Sequence, residues 1–161
     1  SGTRLANFPD GVWGIYFQPG NKKIVSGVLY EYISTQNQSK GTIAGPDNYF
    51  NNSIYPSGWT YEARTIGLPF IISPLNNSVR AHQFGLTGTV KKVDLTLKAS
   101  IVANNGTIAS PYNPKQNAIY TFAKASYSVE HYGQLSLLFG YDYDDTKKDI
   151  VGSGLSYTYT F

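Results

Sequence analysis

The chain has 161 residues, a formal net charge of +3 and 14% charged residues, against about 25% in an average soluble domain. Aromatic residues reach 15%, with 14 Tyr and no Cys, and no run approaches the roughly 20 apolar residues of a membrane helix. These values exclude a disulfide framework and a Cys-ligated metal, and the scattered lysines lack the basic stripe of a nucleic-acid-binding protein.

Short segments of alternating polar and apolar residues recur through the chain. A period of two is typical of β-strands. In 151–161, for example, Leu155, Tyr157 and Tyr159 share one face, and Gly, Ser and Thr make up the other. The sequence therefore predicts an all-β, antiparallel chain of about seven strands, without showing which face is inside. The predicted strands cover 12–18, 24–35, 79–90, 92–104, 118–130, 134–143 and 151–161.

Short and long connections alternate between these strands. Tight turns are predicted near 19–22, 91 and 131–133, and longer polar loops at 36–78, 105–117 and 144–150. If the last strand ends in the periplasm, every tight turn is periplasmic and every long loop is extracellular. Outer-membrane barrels have this arrangement. The pattern predicts a transmembrane β-barrel in the bacterial outer membrane, with its surface against lipid and 36–78 as the long extracellular loop.

The predicted number of strands is odd. Single-chain bacterial barrels have an even number of strands, and lipid does not tolerate an open sheet edge. Residues 1–161 are therefore expected to form one C-terminal segment of a larger barrel. The missing strands would precede Ser1, where the chain looks processed or truncated, or come from another chain.

Several blocks in the first half of the chain together resemble one family. In this order they resemble the Bacteroidetes branch of the capsule assembly Wzi family, over about residues 7–86 and the aromatic terminus. The resemblance implies a non-enzymatic outer-membrane barrel that binds surface polysaccharide and assists capsule assembly or attachment. The blocks are NFPDG at 7–11, VLYEY at 28–32, TQNQS at 35–39, DNYFNN at 47–52, SGWTY at 57–61, RTIGLPF at 64–70 and NSVRAH at 77–82.

The loop 36–78 is rich in side chains that bind sugars. Aromatic rings stack on the apolar faces of sugars, and amide, carboxylate and guanidinium groups bond hydroxyls or acidic groups. The alternative is that Trp59 and Tyr61 pack the loop over the barrel or join an aromatic girdle. The predicted polysaccharide-binding residues of the loop are Asp47, Asn48, Tyr49, Trp59, Tyr61 and Arg64.

Arg80 and His82 complete the predicted polysaccharide site. They are two residues apart, hence on one strand face near the outer rim, where they could meet an anionic sugar such as a uronate. The alternative is that Arg80 points into the lumen and pairs with Glu31.

Neither catalysis nor a metal is predicted. His82 and His131 lack a readable nucleophile and a third orienting group. Asp142, Asp144, Asp145 and Asp149 offer oxygen atoms of the kind calcium prefers, but the lysines among them favour a solvated turn. No cofactor is expected.

Two other functional classes remain open. One is an outer-membrane barrel enzyme or channel. The other is a soluble, secreted β-sandwich lectin, for which formal glycosylation sequons begin at Asn37, Asn76 and Asn105.

Overall fold

A computed structural model of the chain describes residues 7–20, 24–38, 49–51, 54–55, 59–129 and 132–159. The elements within these ranges are all β-strands. They are β1 (Gly11–Phe17), β2 (Val25–Ser34), β3 (Thr60–Tyr61), β4 (Arg64–Thr65), β5 (Leu68–Ile72), β6 (Val79–Val90), β7 (Val93–Gly106), β8 (Pro111–Val129), β9 (Gly133–Asp144) and β10 (Ile150–Thr158). Across these ranges, no helix has the length and apolar character needed to cross a membrane.

The strands form two sheets. The larger sheet has seven strands in the order β1-β2-β6-β7-β8-β9-β10, and the smaller has the order β3-β4-β5. The prediction of an all-β, antiparallel chain with seven main strands is confirmed. The described part of the larger sheet is open, with β1 and β10 at its edges, and forms no closed barrel.

The predicted loop at 105–117 is wrong. β7 continues to Gly106 and β8 begins at Pro111, so only a short turn separates them. The Thr107 amide donates to the Ser110 carbonyl at 3.1 Å, and the Ser110 amide donates to Thr107 Oγ1 at 2.9 Å. Residues 111–117 contain two prolines and mostly polar side chains, so the alternation that identifies a half-buried strand is missing there.

The chain divides into two compact units. The loop unit comprises Ser1–Trp13, Tyr32–Ala81 and Val102–Asn117, and the sheet unit comprises Gly14–Glu31, His82–Ile101 and Ala118–Phe161.

In the sheet unit, β8, β9 and β10 are in continuous antiparallel register. Leu137 lies opposite Ala125 on one side and opposite Leu155 on the other. Directly opposite residues point to the same face of a sheet. Each such row is therefore a band of side chains that crosses the three strands on one face.

The two faces of these strands differ in an unusual way. The apolar Leu137 and Phe139 are 62% and 50% exposed. On the other face Ser126 and Ser136 are each 4% exposed, and their hydroxyls are hydrogen-bonded at 2.8 Å. Lys124 is half-buried and shares the serine face. Water-soluble domains bury their large apolar side chains, whereas here Leu137 and Phe139 are exposed, and the more buried face carries two serines beside the half-buried Leu138.

In the loop unit, polar residues occupy much of the interior. Asn76 is buried and donates to the Phe70 carbonyl at 3.1 Å and to Asn104 Oδ1 at 2.8 Å. It also accepts the Gly106 amide at 3.1 Å. Buried Asn105 donates to the Ser78 carbonyl at 3.1 Å. The sequons that begin at Asn76 and Asn105 therefore hold their Asn inside a hydrogen-bonded network.

Gly106 is central to this network. Its carbonyl accepts the amides of Asn77 at 3.0 Å and Ser78 at 2.9 Å. Its φ is +77°, and an added Cβ would lie 2.5 Å from the Ser110 carbonyl oxygen. Only glycine adopts this conformation without strain.

We expect Gly106→Ala to lower the free energy of unfolding by about 1–3 kcal/mol, the usual cost of a non-glycine residue held in a sparsely populated backbone region. The measurement is the urea midpoint of the intact protein. Gly152→Ala is the matched control, because no atom lies within 4 Å of its added Cβ. Equal midpoints for the two variants would contradict the assignment.

Candidate functional site

The hairpin formed by β3 and β4 carries three of the predicted sugar-binding residues. Tyr61 pairs with Arg64 and Thr60 pairs with Thr65. The two residues between the strands, Glu62 and Ala63, both have positive φ, 48° and 63°. This is the pattern of a type I′ turn, whose twist matches that of paired strands. The Ile66 amide extends the pairing by donating to the Trp59 carbonyl at 3.0 Å.

The register divides the hairpin into two faces. Thr60 and Thr65 share one face, and Thr65 is buried. Residues that alternate with them along the strands belong to the other face. These residues, called the hairpin face from here on, are Trp59, Tyr61, Arg64 and Ile66.

The hairpin face is open to solvent. Trp59 is 75% exposed and Tyr61 is 72% exposed. Two flat aromatic surfaces next to a guanidinium group can stack on sugar rings and bond their hydroxyl or acidic groups.

The guanidinium group of Arg64 is oriented by one hydrogen bond, and its other N–H donors can bind a ligand. One guanidinium nitrogen, Nη1, donates to the Pro69 carbonyl at 2.8 Å. A guanidinium has five N–H donors, so this bond orients the group and leaves most donors unused. Within the described ranges, Arg64 has no carboxylate partner. It can therefore receive an anionic or hydroxylated ligand without breaking an ion pair.

Of the other predicted loop residues, Tyr49 does not belong to the hairpin face. Asp47 and Asn48 lie outside the described residues. Tyr49 is half-buried, its hydroxyl accepts a hydrogen bond from Asn7 Nδ2 at 2.6 Å, and its amide donates to Gln38 Oε1 at 3.3 Å. Tyr49 is thus tied to the interior of the loop unit.

Arg80 and His82 fall in different compact units, so their predicted joint site remains a prediction. The same holds for the alternative pairing of Arg80 with Glu31. Within the sheet unit, His82 Nδ1 and the Tyr30 hydroxyl are hydrogen-bonded at 2.9 Å. The Tyr30 ring also lies 5.3 Å from that of Phe84, so His82 belongs to an aromatic cluster.

The acidic segment after β9 is a hydrogen-bonded turn. Asp144 accepts from the amide and hydroxyl of Thr146 at 2.9 and 2.6 Å, and Lys147 Nζ lies 3.6 Å from its carboxylate. Partial burial raises the pKa of Asp144, but the Thr146 hydrogen bonds and the Lys147 charge outweigh it, so this pKa is lowered. Among the described residues no group of three or more His, Cys, Asp or Glu could hold a metal ion.

Sequence reasoning missed a pocket of about 260 Å³ in the loop unit. Asp10 and Tyr49 lie at this pocket, together with the apolar Val12, Ile33 and Leu68. Tyr49 had a predicted role, but Asp10 had only the resemblance of its block. The pocket brings together residues far apart along the chain, and no local pattern signals such an arrangement.

No family model, curated protein or solved structure matches the chain.

The type I′ turn gives a direct test of the hairpin. Ala63 has a φ of 63°, which costs an alanine more than a glycine. We expect Ala63→Gly to raise the free energy of unfolding by about 0.5–1 kcal/mol, within the range for relieving such positions. Urea unfolding measures it.

The control for this substitution is Ala81→Gly, at a fully buried position within β6. That change should destabilise the protein, because glycine weakens strands. If both substitutions lower the midpoint equally, the turn assignment fails.

Proposed function

We propose that the chain is part of a transmembrane β-barrel of the bacterial outer membrane. In this proposal it binds surface polysaccharide through the hairpin face and assists capsule assembly or attachment, without catalysing a reaction. The observation that carries the membrane part is the exposure of large apolar side chains on one face of the sheet unit, opposite a buried serine pair.

The extent of the apolar face supports a membrane position. On β9 this face runs from Leu135 to Tyr143, eight residue steps or about 26 Å along the strand. A strand tilt of roughly 40° reduces this to about 20 Å, close to the apolar band of about 25 Å in known barrels. Tyr127 and Tyr157 lie in the Leu135 row, and Tyr141 and Tyr143 lie towards the other end. Aromatic girdles border the band in the same way.

Solvent energetics favour lipid over water around this face. Covering one Leu or Phe side chain that water would otherwise contact contributes about 1.5–3 kcal/mol. Leu137, Phe139, Leu155 and Tyr157 are all largely exposed. A soluble lectin would need these side chains in a protein interior, whereas lipid covers them where they are.

The sheet edges support completion by further strands. Every residue of β1 and β10 is exposed. Unpaired backbone groups are not tolerated in hydrocarbon. In the proposed barrel these two edges pair with strands outside this sheet, from a preceding segment or another chain.

The polysaccharide part rests on the hairpin face and on the sequence resemblance to the capsule assembly family. Trp59 and Tyr61 supply exposed ring surfaces, and Arg64 supplies unused donors. Protein side chains of this kind recognise sugars by stacking and hydrogen bonding, without forming covalent bonds.

The membrane proposal predicts opposite outcomes for neighbouring substitutions. Leu137 is on the apolar face and Leu138 on the serine face. We expect Leu137→Lys to lower the free energy of unfolding from phospholipid vesicles by about 2–4 kcal/mol, the cost of a basic side chain at mid-bilayer on the lipid face.

Leu138→Lys, the matched control, should cost much less, because its charge reaches a hydrated lumen. The measurement is the folded fraction of the intact protein in vesicles against urea concentration. Tolerance of Leu137→Lys, combined with solubility without detergent, would contradict the membrane proposal.

The polysaccharide proposal predicts that Trp59→Ala and Arg64→Ala each weaken binding about ten-fold, equivalent to about 1.4 kcal/mol. The measurement is binding of the source cell's purified surface polysaccharide to the intact protein in detergent. Tyr132→Ala is the control, since it removes a similarly exposed ring from the β8–β9 turn. Unchanged binding in both hairpin variants would remove the assignment.

A further inference from the structure

The pocket of the loop unit has the composition of a small binding site. Its volume is about 260 Å³, and Val12, Ile33 and Leu68 give it mainly apolar walls. Asn7, Asp10 and Tyr49 add polar groups. Ligand sites combine apolar walls with a few well-placed polar groups in the same way. None of these residues belongs to the hairpin face.

The pocket offers one hydrogen-bond donor without an acceptor. The Tyr49 hydroxyl oxygen accepts from Asn7 Nδ2 at 2.6 Å. Its own hydrogen donates to none of the described residues. A phenol both donates and accepts, so the Tyr49 O–H remains available to a ligand in the pocket.

Asp10 offers the complementary acceptor. Its Oδ1 accepts from Ser34 Oγ and its Oδ2 from the Asn37 amide, each at 2.8 Å. An ionised carboxylate has about four acceptor positions. Two positions therefore remain on a carboxylate whose orientation is fixed by its neighbours.

The backbone beside the pocket is strained. Phe50, which also lines the pocket, has a φ of 65°. Positive φ is a genuine outlier for a bulky side chain, and such strain concentrates at ligand-binding sites. This observation is independent of the polar groups.

Size and charge restrict the ligand. The volume lies below the roughly 300–1,000 Å³ of pockets for drug-sized molecules, so it suits a single ring. Asp10 is the charged group among the described lining residues, and its negative charge disfavours an anionic ligand. The apolar walls favour a ligand that carries a methyl group.

We propose that this pocket binds one neutral sugar unit bearing a methyl group, a 6-deoxyhexose or an N-acetylhexosamine. The methyl group contacts Val12 and Leu68, and the ring hydroxyls bond to Tyr49 and Asp10. The proposal rests on the proposed function only in taking a carbohydrate as the ligand. It does not require the hairpin face.

The test is saturation-transfer NMR on the intact, detergent-folded protein. The probes are methyl fucoside, methyl rhamnoside and N-acetylglucosamine, with methyl glucoside and glucuronate for comparison. We expect transfer to the methyl-bearing sugars, strongest at the C6 methyl or the acetyl methyl. Absence of transfer to these sugars, or equal binding of glucoside or glucuronate, would overturn the proposal.

Substitutions of pocket residues test where the sugar binds. Tyr49→Phe should weaken it about five-fold to ten-fold, since one hydrogen bond is lost. Val12→Trp should abolish it by filling the pocket. Tyr112→Phe is the control, because it removes a hydroxyl that donates to the Leu75 carbonyl at 3.2 Å outside the pocket.

Unchanged binding in both Tyr49→Phe and Val12→Trp would overturn the pocket assignment. Monosaccharide binding that is lost in Trp59→Ala or Arg64→Ala but kept in Tyr49→Phe would place the sugar on the hairpin face and overturn the proposal. Failure of the hairpin face to bind polysaccharide is therefore distinguishable from failure of the pocket.

Discussion

The proposed membrane position and everything built on it depend on which side of the sheet carries the apolar side chains of each strand. Backbone pairing on both sides satisfies the N–H and C=O groups of β9, which lies between β8 and β10, so the side chains there decide which surroundings the sheet can occupy. Leu137 and Leu155 lie side by side on the exposed face, while Ser126 and Ser136 bond to each other on the other. In water this arrangement exposes apolar surface and buries hydroxyls. In a bilayer both faces meet suitable surroundings.

The loop unit is organised by a different principle. Its interior contains apolar side chains such as Ile71 and Val79, but also the fully buried amides of Asn76 and Asn77. Buried polar groups are stable only when they are hydrogen-bonded, and these side chains bond backbone groups from distant segments. Because such bonds are directional, the network can hold a hairpin and a pocket in defined shapes without a large apolar core.

Hydrogen bonds also link the pocket to the conformation of the loop. Thr35 Oγ1 donates to the Asn77 carbonyl at 2.7 Å and accepts the Val79 amide at 2.8 Å. Gln38 donates to the carbonyls of Thr35 and Asn77 and accepts the amide of Tyr49. The side chain proposed to donate to a sugar is therefore positioned by the network that closes the long loop.

Alternation was enough to place the seven main strands, because one face of each differs in polarity from the other. It failed at 111–117, where two prolines and mostly polar side chains leave no alternation. The turn at Glu62 and Ala63 escaped prediction because a type I′ turn usually carries Asn-Gly. The sugar-binding role of Trp59, Tyr61 and Arg64 was predicted from residue type alone and stays a prediction. Their common face depends on the pairing of Tyr61 with Arg64, which residue type does not reveal. The pocket depends on contacts distant in sequence, so no local pattern reveals it.

The most direct test of the central claim is a cysteine scan of β9. The natural chain has no Cys, so single cysteines at 134–139 can each carry a nitroxide label in the intact protein in vesicles. The account predicts that labels at 135, 137 and 139 are accessible to membrane-dissolved oxygen, and those at 134, 136 and 138 to a water-soluble nickel complex. Labels at 135, 137 and 139 that are shielded from oxygen, or reached by nickel, would contradict it.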